Sequence, residues 1–285
     1  MKLGIGTAQF GMCYGATNNH GQCTHSDIQQ ILQLAQRAGI DTIDTAAAYG
    51  ASEQVLGNVL VEQLTPAFRI VTKLPASSQA SAIKHGVQQS LVRLHQDHLY
   101  GLLTHQASML LGEGGEAVWH VLVQLKEAGM VKKIGASVYT GAEIEQLLEK
   151  YPLDLIQLPI NLFDQRLVHN GLLQQLKRAG VEIHARSVFL QGIILSDARQ
   201  LPQPLSSLRE KLTLLQAFCH KQAITPLQAA LAYVWHMPAI DRLIIGASSP
   251  MDFSNVLKAV QVLPTGLDFS PFMVDDNKLL NPSYW

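Results

Sequence analysis

The sequence predicts an α/β protein built as one (β/α)8 barrel, the TIM-barrel fold, in a single domain over residues 1–285. Three observations predict it. Short apolar strands alternate with amphipathic helices along the chain, eight strand candidates can be counted, and no linker rich in proline, glycine or serine divides the sequence. Alternating strands and helices are typical of parallel βα units, and eight such units close into a barrel.

Eight short segments rich in apolar and β-branched residues are the predicted strands. Helix candidates lie between them, so consecutive strands are expected to run parallel. The predicted strands are residues 3–7, 40–44, 68–73, 98–104, 133–137, 155–159, 181–187 and 242–245.

The predicted helices carry apolar residues at positions i, i+3, i+4 and i+7, which places one apolar stripe on each helix. Thr225 and Pro226 predict an N-cap and a first turn for a helix that runs to about His236. The stripes are Ile28, Ile31, Leu32 and Ala35; Val118, Val121, Leu122 and Leu125; and Phe253, Val256, Leu257 and Val260.

Three predicted helices end in the dipeptide Ala-Gly immediately before a β-rich run. Glycine accepts the left-handed conformation that ends a helix. The repeated device indicates one kind of structural unit used several times. The glycines of these pairs are Gly39, Gly129 and Gly180.

A doubly wound sheet is the competing architecture, and it would normally carry GxGxxG between its first strand and first helix. Here the first strand leads into GIGTAQFG, at residues 4–11, which lacks the third glycine at the required place. The next helix is predicted to begin only near Ser26. These features favour the barrel.

The composition narrows the possible partners and location. Lysine and arginine number 21 against 22 aspartates and glutamates, so there is no basic excess and no nucleic-acid partner is expected. No apolar run approaches the roughly 20 residues of a membrane helix. The N-terminus lacks the pattern of a signal peptide, so a cytoplasmic protein without membrane contact is expected.

Cysteine and histidine spacing gives no sign of a disulfide framework or a metal site. The three cysteines, Cys13, Cys23 and Cys219, show no CxxC spacing, so reduced thiols are expected. The histidines form no HxH or HExxH pattern, and we therefore expect no catalytic metal.

Polar residues at the carboxyl ends of the strands are the candidates for chemistry, because the active sites of such barrels lie at that rim. The second strand ends at Asp44 and its loop carries Tyr49. The third strand ends at Lys73, and the fourth leads into His105. Because the three strands are consecutive, we expect the four side chains to lie close together.

These four residue types form a coherent acid–base set. A phenol ordinarily has a pKa near 10, and an adjacent ammonium stabilises its phenolate. Lys73 can supply that ammonium, Asp44 can keep it charged and oriented, and a histidine can orient a carbonyl oxygen.

Each residue also has a purely structural interpretation. Asp44 could cap a turn, Tyr49 could anchor a loop, Lys73 could be a solvated strand end before Pro75, and His105 could be a hydrogen-bonded core histidine. Taken singly, each structural interpretation is at least as good as the functional one. Their joint occurrence at three consecutive strand ends favours a site.

On these residues the sequence resembles the aldo-keto reductase superfamily along nearly the whole chain. The aspartate and tyrosine of its catalytic tetrad lie in DTAAAYG, the lysine in IVTKLP and the histidine in LLTHQ. The segments GTAQFGMCYG, QLPINLFDQR and RSVFLQG look like a bacterial branch of that superfamily. The resemblance implies an NAD(P)H-dependent oxidoreductase that reduces an aldehyde or ketone, with Tyr49 as general acid.

The resemblance also implies a cofactor, NADP(H) or NAD(H), lying extended across the barrel mouth and held by several loops. Ser137 and Gln157 would bind its carboxamide, although Gln157 is equally well explained as a barrel-rim amide. The GASS run after the last strand would bind phosphate at a helix N-terminus, although such turns are often rich in glycine and serine. The implied cofactor residues are Gly6, Thr7, Asp44, Ser137, Gln157, Arg186, Ser187, Gly246, Ala247, Ser248, Asp252 and Asn255.

Three departures from the family pattern affect this cofactor map. Members that require NADPH usually place a basic residue in the last loop against the 2′-phosphate, whereas this chain has Ser248, Ser249 and Asp252 there and no base until Lys258. An acidic residue repels a phosphate and accepts a ribose hydroxyl. The sequence therefore predicts that NADH is accepted at least as well as NADPH.

The other departures are Val138, where many members carry an asparagine, and Arg186, where members usually carry an aromatic residue that stacks on nicotinamide. A planar guanidinium can stack as well, but its charge disfavours the oxidised ring.

The substrate is expected to be a small or sugar-like carbonyl compound, and the sequence indicates no oligomeric state. The rival function is a nicotinamide-binding regulatory or sensor protein on the same scaffold, with little turnover. The candidates for the substrate pocket, each as easily explained by loop packing, are Phe10, Met12, Tyr14, Phe163 and Trp285.

Overall fold

A computed structural model describes residues 1–63, 68–74, 79–201 and 203–285. Eight parallel strands close a barrel in chain order, with the last strand paired to the first. The predicted (β/α)8 barrel is thus confirmed. The strands are β1 (Leu3–Gly6), β2 (Thr42–Asp44), β3 (Arg69–Leu74), β4 (Leu99–Thr104), β5 (Val131–Ser137), β6 (Leu155–Pro159), β7 (Glu182–Arg186) and β8 (Arg242–Gly246).

Helices connect successive strands on the outside of the barrel. Thr225 caps the helix that begins at Pro226 through a capping box, as its sequence predicts. The α-helices are α1 (Ala8–Gly11), α2 (His25–Arg37), α3 (Ser52–Glu62), α4 (Ala80–Leu94), α5 (Ser108–Leu111), α6 (Gly115–Glu127), α7 (Gly141–Lys150), α8 (Leu172–Arg178), α9 (Arg209–Lys221), α10 (Pro226–Trp235), α11 (Pro250–Ala259) and α12 (Asn277–Leu280).

The strand boundaries agree with the sequence to within two residues, and the differences have local causes. Strand β2 begins at Thr42 because the amide of Ile40 bonds to the carbonyl of Ala35 and closes the end of α2. The expectation that no helix precedes the one near Ser26 is wrong, since α1 forms a single turn directly after β1. Pro75, which the structural interpretation of Lys73 as a strand end involves, lies outside the described part of the chain.

The three Ala-Gly pairs end helices as predicted. Gly39, Gly129 and Gly180 have φ angles of 69°, 74° and 77°, in the left-handed region that a side chain disfavours. At each of these sites the helix closes and the chain turns towards the next strand.

The main core lies between the barrel and its ring of helices and takes in the predicted apolar stripes, of which only Leu257 and Val260 are partly exposed. A smaller cluster of Val71, Leu103 and Leu155 fills the inside of the barrel. A third cluster joins the loops after β6 and β7 to α9, α10 and the segment around Phe272. Because the interior is packed with side chains, a ligand site is expected at the rim of the barrel.

A polar layer closes the amino-terminal end of the barrel. Glu182 of β7 accepts hydrogen bonds from Tyr100 at 2.7 Å and from Lys133, and pairs with His184 at 2.8 Å. Because Tyr100 and Lys133 belong to β4 and β5, these contacts cross the barrel, so Glu182 and His184 point inward. Side chains alternate along a strand, and Arg186, two residues further on, therefore also points inward, at the mouth.

No helix within the described residues is long and apolar enough to span a membrane.

Candidate active site

The four candidate residues lie together at the carboxyl ends of β2, β3 and β4. Asp44 is the last residue of β2 and is paired in register with Val71 of β3. Lys73 is paired with Leu103 of β4, and His105 directly follows that strand. Tyr49 lies in the loop between β2 and α3. The structure thus brings together the four side chains that sequence analysis selected.

Lys73 and Asp44 form a buried ion pair. The ammonium nitrogen of Lys73 lies 2.9 and 2.7 Å from the two carboxylate oxygens of Asp44 and 3.0 Å from the carbonyl oxygen of Thr45. Only 1% of Lys73 and 3% of Asp44 is exposed. Burial alone would lower the pKa of Lys73, but the charge of Asp44 and the hydrogen bonds to it and to Tyr49 outweigh burial and raise the pKa above its ordinary value. Lys73 is therefore a fixed cation and not a solvated strand end.

The hydroxyl group of Tyr49 lies next to this cation. The Nζ of Lys73 is 3.4 Å from the Tyr49 hydroxyl oxygen and 4.9 Å from the centre of its ring. The phenol is half-buried at the mouth of the barrel. An ammonium at this distance stabilises negative charge that develops on the phenol oxygen.

Buried polar contacts hold the helix that follows Tyr49. The hydroxyl of Ser52 donates to the carbonyl of Thr7 at 2.8 Å. The carboxylate of Glu53, 2% exposed, accepts from Thr72 at 2.6 Å and forms an ion pair with Arg93. Sequence analysis missed Glu53, which lies in the first turn of α3, four residues after Tyr49.

The imidazole of His105 faces the Tyr49 ring edge-on. The two ring centres are 5.8 Å apart, with an angle of 89° between the planes. Burial, followed by the charge of Lys73, lowers the pKa of His105 to about 4. At neutral pH the ring is therefore uncharged and can donate one hydrogen bond to an oxygen atom.

Several of the residues predicted to bind a cofactor ring the same mouth. Gly6 pairs with Asp44 on one side and with Gly246 on the other. Gln157, paired in register with Ser137, donates its amide to Asp44 at 2.7 Å. The amide oxygen of Gln157 is buried without a hydrogen-bond partner. An acceptor of this kind beside the catalytic candidates fits the amide group of a nicotinamide.

The loop between β8 and α11 has the form of an anion site at a helix N-terminus. Ser249 caps α11 by accepting from the amide of Asp252 at 3.1 Å. Below the loop, the thiol of Cys23 donates to the carbonyls of Ala247 and Ser248 at 3.5 and 3.4 Å. The remaining residue predicted for this region, Asn255, is exposed on α11.

Two carboxylates lie close to this loop. Burial raises the pKa of the Cys23 thiol to about 11, and the charges of Asp27 and Asp252 add to the shift. Asp252 lies in the first turn of α11, directly after the loop, and Asp27 lies in the first turn of α2, four residues after Cys23. The loop therefore combines the amide groups of a helix N-terminus with negative charges nearby.

Arg186 stacks on a protein side chain. Its guanidinium carbon lies 4.1 Å from the ring centre of Tyr139, and it donates to the Val138 carbonyl at 3.0 Å and to the Ser187 hydroxyl at 3.2 Å. Ser187 adopts a left-handed backbone with φ 59°. Sequence analysis missed Tyr139, although its place two residues beyond the end of β5 puts it on the rim that was searched.

The residues proposed for the substrate pocket fall into two groups. Phe10 and Phe163 are 0% exposed and belong to hydrophobic cores, so their assignment to the pocket is wrong. Met12 is exposed, and Trp285 packs against the third cluster. Tyr14 is partly buried, and Gln191 donates to its hydroxyl at 3.4 Å. Burial raises the pKa of Tyr14, and the charge of Tyr49 adds to the shift.

Within the described ranges, no group of three or more histidine, cysteine, aspartate or glutamate side chains is arranged to hold a metal ion.

Comparison with known proteins gives a consistent result. The Aldo/keto reductase family matches residues 2–266. The NADH-specific methylglyoxal reductase of Escherichia coli is 24% identical over 298 residues, covering 92% of this chain and 90% of that protein. The 6-dehydroglucose reductase of Novosphingobium aromaticivorans is 26% identical over 265 residues, covering 84% and 82%.

A solved structure shows the same fold. The holo form of aldo-keto reductase AKR11C1 from Bacillus halodurans superimposes with a TM-score of 0.78 at 21% identity, covering 93% of this chain and 88% of that one.

Proposed function

We propose, from the premise that the chain belongs to the aldo/keto reductase family, that it reduces an aldehyde or ketone to an alcohol with Tyr49 as general acid. One observation carries the proposal: the ammonium of Lys73 is held by Asp44 and lies 3.4 Å from the Tyr49 hydroxyl. This contact prepares a phenol to give up its proton beside a buried cation.

Each of the four residues has a defined part in the reaction. A bound NAD(P)H would supply the hydride that reduces the carbonyl carbon. Tyr49 donates its proton to the carbonyl oxygen, which becomes the hydroxyl of the alcohol. Lys73 stabilises the phenolate left behind, and Asp44 keeps Lys73 in place. The neutral His105 donates a hydrogen bond that orients the carbonyl oxygen.

The residues at the mouth fit a nicotinamide dinucleotide. The buried, unpartnered amide oxygen of Gln157 can accept from the carboxamide, and the N-terminus of α11 can bind a phosphate. The charges of Asp27 and Asp252 oppose a 2′-phosphate at this loop. We infer that NADH is accepted at least as well as NADPH, and the name of the E. coli relative, an NADH-specific enzyme, agrees with this preference.

The proposed activity is tested by following NADH oxidation at 340 nm with a panel of activated aldehydes. We expect turnover that saturates with aldehyde. Binding of NADH, measured by fluorescence titration, without oxidation by any aldehyde of the panel would contradict the reductase and favour the sensor.

The cofactor preference is tested by the variant Asp252→Arg. Replacing the exposed carboxylate with a guanidinium removes one repulsive charge and adds an attractive one, so the ratio of the NADPH to the NADH dissociation constant should fall by about tenfold or more. Fluorescence titration with both cofactors measures the ratio. Asp97→Arg, which reverses an exposed charge before β4 at the other end of the barrel, is the matched control. A wild-type protein that binds NADPH tenfold more tightly than NADH would contradict the preference.

A further inference from the structure

Among the described residues, the mouth of the barrel contains one cation that no carboxylate neutralises. Lys73 is paired with Asp44, and His105 is uncharged at neutral pH. Arg186 forms no ion pair with any carboxylate in the described part of the chain. The net charge of these groups is therefore positive, and it resides on the guanidinium of Arg186.

The position of Arg186 follows from the strand that carries it. Glu182 and His184, four and two residues earlier, point into the barrel, so Arg186 at the end of β7 points into its mouth. The charge of Arg186 acts on both His105 and Tyr14. The guanidinium also donates to the carbonyl of Val138, which follows Ser137, and the register partner of Ser137, Gln157, bonds to Asp44. The guanidinium therefore lies at the same mouth as the catalytic candidates.

The orientation of the Arg186 guanidinium is fixed, but only some of its N–H groups donate hydrogen bonds. Its face lies on the ring of Tyr139, and two of its N–H groups donate to Val138 and Ser187. A guanidinium has five N–H donors in a planar fork, so the others have no acceptor within the described residues. A stacked guanidinium with free edge donors is preorganised for an oxyanion, which it can bind through two parallel hydrogen bonds.

Resting on the reduction proposed above, we propose that Arg186 selects carbonyl substrates that carry an anionic group, a carboxylate or a phosphate, near the carbonyl. Tyr139 acts as a positioning residue, because its ring holds the plane of the guanidinium. Tyr49 and His105 then engage the carbonyl oxygen while Arg186 engages the anion. The substrate class implied is that of oxo acids or sugar phosphates.

The test compares pairs of carbonyl compounds that differ in charge. 4-Formylbenzoate and its methyl ester form the carboxylate arm, and dihydroxyacetone phosphate and dihydroxyacetone form the phosphate arm. We expect kcat/KM for at least one charged member to exceed that of its neutral partner by about tenfold or more, since charge-assisted hydrogen bonds are the strong ones. The arm that shows the preference identifies the anion.

Three variants assign the preference to this residue. Arg186→Gln should reduce the ratio of charged to neutral kcat/KM by about tenfold or more, and Arg186→Lys, which keeps the charge without the planar fork, should give an intermediate ratio. Arg199→Gln makes the same change at a side chain that is 87% exposed and should keep the wild-type ratio. An unchanged ratio of charged to neutral kcat/KM in Arg186→Gln overturns the inference. If NADH binding is weakened at the same time, the guanidinium serves the cofactor instead.

A binding measurement separates this inference from the reductase itself. Calorimetric titration with the two alcohols 4-(hydroxymethyl)benzoate and its methyl ester requires no turnover. Preference for the acid that disappears in Arg186→Gln supports the anion site even if no aldehyde is reduced, in which case the proposed function alone fails. Turnover without any charge preference in either arm retains the reductase and overturns the anion site.

Discussion

Replacing Tyr49 with phenylalanine is expected to lower kcat/KM for aldehyde reduction by about 100- to 10,000-fold, the range that a positioned general acid contributes. The variant removes only the hydroxyl that lies 3.4 Å from Lys73. The ring that faces His105 stays in place, so the mouth of the barrel should keep its shape. Steady-state NADH oxidation with a fixed aldehyde measures the loss.

The matched control is Tyr284→Phe, which removes the hydroxyl of an exposed tyrosine near the carboxyl end of the chain. We expect wild-type kcat/KM from this control. NADH binding by Tyr49→Phe, followed by fluorescence, should stay close to that of the wild type. A Tyr49→Phe protein that reduces aldehyde within threefold of the wild-type rate would show that another group supplies the proton.

Replacing Lys73 with methionine should impair both catalysis and stability. Without the ammonium, the phenolate of Tyr49 loses its stabilising charge, and we expect kcat/KM to fall by about 100-fold or more. The carboxylate of Asp44, 3% exposed, is left without its cation, and removal of one partner of a buried ion pair costs about 3–5 kcal/mol. Urea denaturation measures the free energy of unfolding alongside the kinetic assay.

The double variant Asp44→Asn, Lys73→Met separates the two effects. Replacing the isolated carboxylate with a neutral amide should restore most of the lost stability, because no buried charge remains unpaired. Activity should stay low, because the cation beside Tyr49 is still missing. Recovery of activity together with stability would mean that Lys73 serves only the fold.

The overall fold could be predicted because the chain repeats one local pattern. Apolar stripes and Ala-Gly helix ends report on single βα units, and eight such units fix the barrel. What local patterns do not show is contact across the barrel. Lys133 looks like a polar interruption of a strand, whereas in the structure it points inward and bonds to Glu182 of β7. Strand β5 begins at Val131, two residues before the predicted start, because Val131 pairs in register with Leu99 of β4.

The candidate site could be predicted where the order of the strands determines which strand ends lie side by side. Asp44 and Lys73 end adjacent strands, so their contact follows from consecutive pairing. The stacking of Arg186 on Tyr139 joins the end of β7 to the loop after β5. These strands are not neighbours in the barrel, and no spacing in the sequence indicates the contact. The burial of Phe163 also depends on a segment far away in the sequence. The amide of Val274 in that segment donates a hydrogen bond to the carbonyl of Phe163.

We propose that Tyr49, Lys73, Asp44 and His105 form a site that reduces a carbonyl group to an alcohol. This is tested by incubating the protein with an aldehyde and NADH carrying deuterium at both C4 positions of the nicotinamide, followed by mass spectrometry of the product. We expect an alcohol with one deuterium on the carbinol carbon, formed by the wild-type protein and lost in Tyr49→Phe. Binding of the labelled cofactor without deuterium transfer, or equal transfer by both proteins, would contradict it.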